Sequence, residues 1–358
     1  MRVAVIASSR FPVAQPFAGG LEAHVWHLTR QLRRRGHEVA LFAAPGSDAS
    51  FSADCLRVRP FRPSDLARTD VSMPPLLAME EHHAYLTLML GLINGEAGRF
   101  DLVHNHSLHH LPIAMAPALR TPMVSTLHTP PTPWLESALQ VTAGSGVRLV
   151  AVSAHTAAAW RHVTGPVSVV PNGVDVALWG PGPGGGPLLW TGRMVPEKGP
   201  DLAIAAAALA GRPLHLAGPI VDRAFFDAEV APRLGPTVRY LGHLSHAALA
   251  EAVGAASAVL VTPRWNEPYG LVVAEALACG TPVAAFARGG IPEILTEDCG
   301  RLVAADDVEA LARAVPVVSG LSRAAARRRA VSACSLEAMV DRYESIYREL
   351  LPATACAS

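Results

Sequence analysis

The sequence lacks a charge imbalance and is poor in cysteine, and both features exclude classes of protein. Lysine plus arginine equals aspartate plus glutamate at 30 each, whereas nucleic-acid binders usually carry a basic excess. Five cysteines without a C-x-x-C pair argue against a disulfide framework and a cysteine zinc site. They are Cys55, Cys279, Cys299, Cys334 and Cys356. We therefore expect no nucleic-acid partner and a reducing, cytoplasmic location.

Long apolar runs are also missing. The N-terminal stretch "MRVAVIASSR" is too short in its apolar part for a signal peptide. No run approaches 18 apolar residues without charge, proline or glycine, so we expect no membrane span. Half of the residues are hydrophobic and only 17% are charged, which argues against long disordered tails.

The apolar residues show two kinds of spacing in turn along the chain, one typical of strands and one typical of helices. "RVAVIAS" is typical of a buried strand, "LEAHVWHLTRQLRRRG" has helical spacing, and "HEVALFAA" is again strand-like. Such βαβ units predict a parallel sheet. Six further short apolar runs after residue 187 repeat the pattern. With 358 residues, the chain is predicted to form two doubly wound α/β domains.

The two domains are expected to meet at a hinge, and a helix is expected to end the chain. We place the hinge around residues 164–172, before the glycine-rich loop "GPGPGGGP". "SLEAMVDRYESIYRELL" is amphipathic, with Met339, Tyr343, Ile346 and Leu350 on one stripe. Ligands of doubly wound sheets bind beyond the carboxyl ends of the strands. Functional residues should therefore follow the strands.

Two cations follow one predicted strand. Arg193 and Lys198 lie in "WTGRMVPEKGPD", between a strand that ends at Trp190–Thr191 and a helix that begins near Pro200–Asp201. An arginine fork, a lysine charge and a helix N-terminus together suit an anionic ligand. Two solvated surface cations are the alternative.

Two acids flank another apolar run, "NEPYGLVVAEALACGTPV". Glu267 precedes the predicted helix and Glu275 lies eight positions later, or about 12 Å along a helix axis. This spacing is too long for two acids acting on one bond and suits two contacts on an extended ligand. The amides of residues 269–272 begin the helix and are free to meet phosphate. A surface acid and a salt-bridged helix acid are the alternative.

Glycines and histidines complete the candidates. Gly19 and Gly20 follow the first strand and permit close approach to a ligand, although no dinucleotide or P-loop motif is present there. "VHNHSLHH" places His104 and His106 on one strand face, but no acid or cysteine stands at metal-ligand spacing. We therefore expect hydrogen-bonded histidines and no metal site. His128 ends a strand at the expected cleft.

The motifs "GGLEAHV", "TLHTP", "PNGVD", "GRMVPEKG" and "EPYGLVVAEALACGTPV" occur in one order along the chain. Together they resemble family 4 retaining glycosyltransferases of the GT-B fold, over nearly the whole chain and least in residues 47–100. The resemblance implies two Rossmann-like domains facing a central cleft. Residues 1–165 would form the acceptor-side domain and residues 166–335 the donor domain. Residues 336–358 would pack back on the first domain.

The resemblance also implies roles for the candidate residues. Arg193 and Lys198 would hold the donor diphosphate, and Glu275 would bind the ribose. Glu267 would contact hydroxyls of the donor sugar, and His128 would lie beside that sugar. These roles make His128, Glu267, Arg193 and Lys198 the predicted catalytic set.

Backbone groups are expected to complete the donor site. Gly19 and Gly20 would let the first domain close over the phosphates. The backbone at Leu244 would meet the base. The amides of Tyr269, Gly270 and Leu271 would assist Glu267 at the sugar, and Val272 is predicted to bind the donor beside them.

The implied reaction is retaining, metal-independent hexosyl transfer from a UDP- or GDP-linked sugar to a hydroxyl of a small-molecule or lipid acceptor, without a cofactor. A nucleotide-sugar epimerase on a similar fold and a non-catalytic nucleotide-sugar-binding protein remain alternatives. Arginines 30 and 33–35 permit peripheral membrane contact. We favour a soluble acceptor, because the apolar stripe of that helix is needed to cover the sheet.

Overall fold

The computed structural model describes residues 1–51 and 61–351. Two six-stranded parallel sheets dominate it. The strands of the first sheet are β1 Arg2–Ile6, β2 Glu38–Phe42, β3 Leu102–Asn105, β4 Met123–Leu127, β5 Val147–Ala151 and β6 Ser168–Val169. Those of the second are β7 Leu188–Thr191, β8 Leu214–Ala217, β9 Val238–Tyr240, β10 Val259–Val261, β11 Val283–Phe286 and β12 Gly300–Val303. Each of these strands lies within an apolar run of the sequence.

Both sheets are doubly wound, as the sequence predicts. The strand order is β2-β1-β3-β4-β5-β6 in the first sheet and β12-β11-β10-β7-β8-β9 in the second. On β1, Val3 pairs with Val39 of β2 on one side and with Leu102 of β3 on the other. Such central strands are buried on both faces, which is why they are apolar throughout.

Helices cover the faces of the sheets. Those of the first half are α1 Gly20–Arg34, α2 Leu76–Asn94, α3 Leu111–Met115, α4 Pro133–Thr142 and α5 Ala154–Thr164. The later ones are α6 Pro200–Leu209, α7 Arg223–Phe225, α8 His246–Ala255, α9 Leu271–Ala278, α10 Ile291–Ile294, α11 Val308–Ser319, α12 Arg323–Ala333 and α13 Leu336–Leu350. None of the described helices is long and apolar enough to cross a membrane.

The final helix packs against the first sheet, although it follows the second sheet in sequence. Met339, Tyr343 and Ile346 of α13 share a core cluster with Val3 and Val5 of β1. The predicted stripe of α13 is therefore the buried one. Residues 352–358, the end of the predicted C-terminal segment, lie outside the described residues.

Two details differ from the sequence expectations. Strand β6, Ser168–Val169, pairs with β5 of the first sheet, so the first sheet extends past the predicted division at residue 165; that division stays a prediction. Residues 47–100 yielded no predicted element, yet α2 spans 19 of them and buries Tyr85 and Met89 completely.

The cysteines follow the expectation as far as the structure describes them. Cys279, Cys299 and Cys334 are buried free thiols. Cys55 and Cys356 lie outside the described residues.

Candidate active site

The carboxyl ends of the two sheets face one cleft of about 460 Å³, a volume typical of small-ligand sites. Residues of both halves line it, and we call them the first wall and the second wall. Every predicted site residue lies there. They are Gly19, Gly20 and His128 in the first wall, and Arg193, Lys198, Leu244, Glu267, Tyr269, Gly270, Leu271, Val272 and Glu275 in the second.

The two cations of the second wall lie between β7 and α6, and both have acidic partners. The Lys198 ammonium forms an ion pair with Glu267 Oε1 and lies 4.9 Å from the centre of the Trp265 ring. Arg193 Nη2 is 3.7 Å from Glu197 Oε1. A bound anion would therefore exchange these carboxylates for its own oxygens.

The loop that carries Glu267 is held by close backbone packing. Trp265 Nε1 donates to Glu267 Oε1 over 3.0 Å, and the Gly290 amide donates to the Glu267 carbonyl over 2.7 Å. Gly289 has a φ of +62°, and a Cβ there would lie 2.0 Å from the Glu267 carbonyl oxygen. Only glycine fits this approach, so the "GG" of "ARGGIPE" fixes the position of the acid.

Glu275 lies nearer to the start of its helix than the sequence suggested. Helix α9 begins at Leu271, so Glu275 is about one turn in and the 12 Å helical spacing from Glu267 is wrong. No described residue forms a hydrogen bond or ion pair with its carboxyl group. Burial raises the pKa of Glu275 to about 7. The side chain is half-buried and lines the cleft, so the hydroxyls of a bound ligand can reach its carboxyl group.

The first wall approaches the second at Gly20. A Cβ on Gly20 would lie 2.8 Å from Leu271 Cδ1, the far end of a flexible side chain, so the two walls are in close contact at this point. Gly19 has extended backbone angles that any residue adopts. Glu22, which sequence reasoning missed, lines the cleft; burial raises its pKa, while the charge of Arg193 opposes that effect.

The loop at Leu244 also joins the walls. His243 Nε2 lies 3.2 Å from the Phe17 carbonyl oxygen, and the ring centres of His246 and Phe17 are 4.6 Å apart. The polypeptide at Leu244 is therefore held where the β1–α1 loop meets the second wall.

Behind His128 lie two sets of buried hydrogen bonds, which are joined by the packing of two histidine rings. His128 Nε2 is 2.9 Å from His106 Nδ1. His104, whose ring packs 3.9 Å from that of His106, bonds Tyr347 of α13 over 2.6 Å and Thr126 over 2.9 Å. The expectation of buried, hydrogen-bonded histidines is confirmed for His104 and His106.

Burial also fixes the charge of these histidines. It lowers the pKa values of His104, His106 and His128 well below the ordinary value and that of His24 to about 3. The imidazoles are therefore neutral near pH 7. Sequence reasoning missed Tyr347 and His24, whose approach depends on how α13 and α1 pack.

Two family models cover most of the chain. "Glycosyltransferase Family 4" matches residues 18–178, and "Glycosyl transferases group 1" matches residues 187–325. A glycogen synthase of Mycobacterium tuberculosis (strain CDC 1551 / Oshkosh) is 32% identical over 93% of this chain and 89% of its own length. The chain belongs to glycosyltransferase family 4.

Other similar proteins agree with this membership. A D-inositol 3-phosphate glycosyltransferase of Mycolicibacterium paratuberculosis is 31% identical over 97% of this chain and 91% of its own length. The solved sucrose-phosphate synthase of Thermosynechococcus elongatus covers 98% of each chain with a TM-score of 0.78 at 23% identity. The fold is therefore GT-B, and the enzyme is a glycosyltransferase that uses a nucleotide sugar. The family membership favours this activity over the epimerase and the non-catalytic protein.

Proposed function

We propose that this glycosyltransferase moves a hexosyl group from a UDP- or GDP-linked sugar to an acceptor hydroxyl, with retained anomeric configuration and without a metal ion. The observation that carries the proposal is the second wall, where two cations and one partnerless acid line the same cleft. A nucleotide sugar presents the complementary groups, an anionic diphosphate between two sets of hydroxyls.

The donor lies along the second wall in this proposal. Glu275 accepts hydrogen bonds from the ribose hydroxyls, and the base meets the backbone at Leu244. Arg193 and Lys198 hold the diphosphate. Glu267 and the amides at the start of α9 contact the transferred sugar. His128 meets that sugar from the first wall.

The departing nucleoside diphosphate gains negative charge as the glycosidic bond breaks. Arg193 and Lys198 stabilise that charge when they leave Glu197 and Glu267 for the phosphate oxygens. A single such donor at a developing anion is typically worth about 2.7–4 kcal/mol. This supply of positive charge is the reason that we propose no metal requirement.

We propose retention because it is consistent with membership of glycosyltransferase family 4. Glu267, which pairs with Lys198 and Trp265 in the free protein, is assigned to the hydroxyls of the sugar and not to nucleophilic attack. We therefore propose that the acceptor attacks from the face that the diphosphate leaves, through an oxocarbenium-like transition state.

The acceptor is proposed to be a soluble small molecule in the cytoplasm, with a lipid as the alternative. Arg35, one of the basic residues at the end of α1, is engaged by Asp341 over 2.6 Å and by Glu344 over 3.0 Å. Arg30 lies 5.0 Å from the centre of the Trp26 ring. The two acidic partners of Arg35 leave that side chain less available to anionic lipid. Sedimentation with anionic liposomes at physiological salt should leave the protein in the supernatant, and quantitative pelleting would contradict this choice.

A panel of UDP- and GDP-sugars, incubated with the protein in EDTA, tests the proposed function. We expect slow release of nucleoside diphosphate from a matching donor, because water replaces the acceptor. Formation of an isomeric nucleotide sugar would indicate an epimerase. Activity that vanishes in EDTA and returns with Mg²⁺ or Mn²⁺ would contradict metal independence.

A further inference from the structure

Three histidines from separate elements converge beneath the cleft. His24 lies on α1, His106 follows β3 and His128 follows β4. One ring nitrogen of each lies within 4.8 Å of the others. The ring centres are 5.1 Å apart for His24 and His106, 4.9 Å for His24 and His128, and 5.2 Å for His106 and His128. We call these three residues the histidine triad.

The triad holds polar atoms that the rest of the described protein does not satisfy. His24 Nδ1, His24 Nε2 and His106 Nε2 are buried without a hydrogen-bond partner in residues 1–51 and 61–351. Asn172 lies beside His24, yet its Oδ1 also lacks a bond of acceptable geometry to any described residue. Each buried unsatisfied group typically costs about 1–3 kcal/mol. Such a cluster requires a water network or an ion.

We propose that His24, His106 and His128 bind a divalent transition-metal ion, with Zn²⁺ as the representative. Three imidazoles with an open fourth position are an established zinc ligand set, and imidazole suits Zn²⁺, Cu²⁺ and Ni²⁺ while Mg²⁺ prefers oxygen. His128 is half-buried and lines the cleft. The open position therefore faces the cleft, where a water molecule or a ligand oxygen completes the shell.

Binding requires a small rearrangement. With Zn–N distances of about 2.0–2.1 Å, tetrahedral ligand nitrogens lie roughly 3.3–3.4 Å apart, closer than the 4.8 Å limit within which the triad nitrogens fall. The ion also replaces the 2.9 Å hydrogen bond between His106 and His128. In return it ligates one ring nitrogen of His24, and neither nitrogen of that ring otherwise has a partner among the described residues.

The consequence for activity rests on the proposed function. The proposed transfer uses no metal ion, and His128 is the first-wall residue that meets the transferred sugar. An ion on His128 holds that imidazole away from the sugar. The triad is therefore an inhibitory site, in which Zn²⁺ and donor turnover oppose one another.

A second histidine cluster provides an internal comparison. His82, His109 and His110 also bring ring nitrogens within 4.8 Å of one another. However, His109 Nδ1 already accepts a hydrogen bond from the Leu111 amide over 3.2 Å. None of the three appears among the described buried atoms that lack a partner. Of these two histidine clusters, only the triad holds buried ring nitrogens without a partner among the described residues.

Titration of the metal-free, full-length protein with Co²⁺ tests the site. We expect one equivalent to produce the visible absorption of four-coordinate Co²⁺, and Zn²⁺ to abolish that absorption. His24→Gln should weaken Co²⁺ binding at least tenfold, whereas the matched variant His82→Gln should bind as wild type does. Circular dichroism and thermal unfolding of each variant establish that it is folded; His24→Asn replaces His24→Gln if the latter is not.

Three results would overturn the proposal. They are no stoichiometric Co²⁺ binding by wild type, equal binding by His24→Gln, and sulfur-to-cobalt charge-transfer absorption, which would indicate cysteine ligands. The inhibitory role is measured separately as nucleoside-diphosphate release with stoichiometric Zn²⁺. Unchanged release by the Zn²⁺-loaded protein would refute inhibition, while failure of metal-free protein to release nucleoside diphosphate would count against the proposed function alone.

Discussion

The two walls of the cleft differ in the charge of their side chains. The second wall carries paired, exchangeable charges, with Lys198 on Glu267 and Arg193 near Glu197. The first wall rests on neutral imidazoles, and burial keeps His106 and His128 uncharged. The second wall can therefore exchange partners when an anion arrives, whereas the first holds a fixed geometry.

This contrast explains where the last helix goes. Tyr347 of α13 reaches His104 behind the first wall, so a segment that follows the second sheet in sequence supports the histidines of the first. Hydrogen bonds inside a protein are stronger and polarise one another. The first wall thus depends on a helix from the end of the chain, whereas the second depends mainly on loops of its own sheet.

Removing a cation from the second wall should have the largest effect. Arg193→Ala is expected to lower the rate of nucleoside-diphosphate release by about 10²–10³-fold, because a donor to the developing anion is lost. Arg223→Ala is the matched control, since Arg223 forms an exposed ion pair with Asp227 and is not among the residues that line the cleft. Equal rates for Arg193→Ala and wild type would show that Arg193 does not stabilise the departing diphosphate.

Breaking the support of the first wall should affect stability and leave the second wall intact. Tyr347→Phe deprives the buried His104 Nδ1 of its partner, which should lower the free energy of unfolding by about 1–3 kcal/mol. Nucleoside-diphosphate affinity should stay within twofold of wild type. Urea unfolding and calorimetric titration measure the two quantities, and a variant with normal stability but weakened affinity would invalidate the division between the walls.

The affinity for nucleoside diphosphate should depend on pH through Glu275 of the second wall. Glu275 has a pKa of about 7 in the free protein, so it is mostly protonated at pH 6 and mostly ionised at pH 8. Ribose hydroxyls favour the carboxylate. Nucleoside-diphosphate affinity should therefore rise about tenfold from pH 6 to pH 8.

Glu275→Gln provides the control for that pH profile, because the phosphates of the ligand titrate identically with both proteins. The variant should lose the tenfold rise that is due to Glu275. An identical profile in variant and wild type would show that Glu275 does not bind the ligand.

The smallest effect is expected at the C-terminal end of α1, which lies away from the cleft. Arg35 joins α1 to α13 through Asp341 and Glu344, but the Asp341 side chain is 67% exposed. Arg35→Gln should cost about 1 kcal/mol of unfolding free energy or less. Thermal unfolding at low and high salt checks this. A loss that exceeds that of Tyr347→Phe would mean that this exposed contact between α1 and α13 stabilises the protein more than the buried hydrogen bond of Tyr347 does.

More of the strands and of the residues in the second wall could be predicted from the sequence than of the residues in the first wall. Strand runs are apolar and local, and residues 266–275 carry Glu267 and Glu275 within one short segment. By contrast, no role was predicted for Glu22, although it lies in the motif "GGLEAHV". His24 of the same motif meets His106 only because α1 packs beside β3. Tyr347 required the path of α13 in three dimensions. Helix α2 was missed although residues 84, 85, 88 and 89 repeat its buried face.

Calorimetric titration of Glu275→Gln and Glu267→Gln with UDP and GDP at pH 8 tests the central claim most directly. The two acids are proposed to hold opposite ends of one donor. We predict that Glu275→Gln weakens the binding of the matching nucleoside diphosphate at least tenfold. Glu267→Gln should bind it as wild type does or more tightly, because Lys198 is released, yet should turn the sugar donor over more slowly. Wild-type nucleoside-diphosphate affinity in Glu275→Gln would contradict the account.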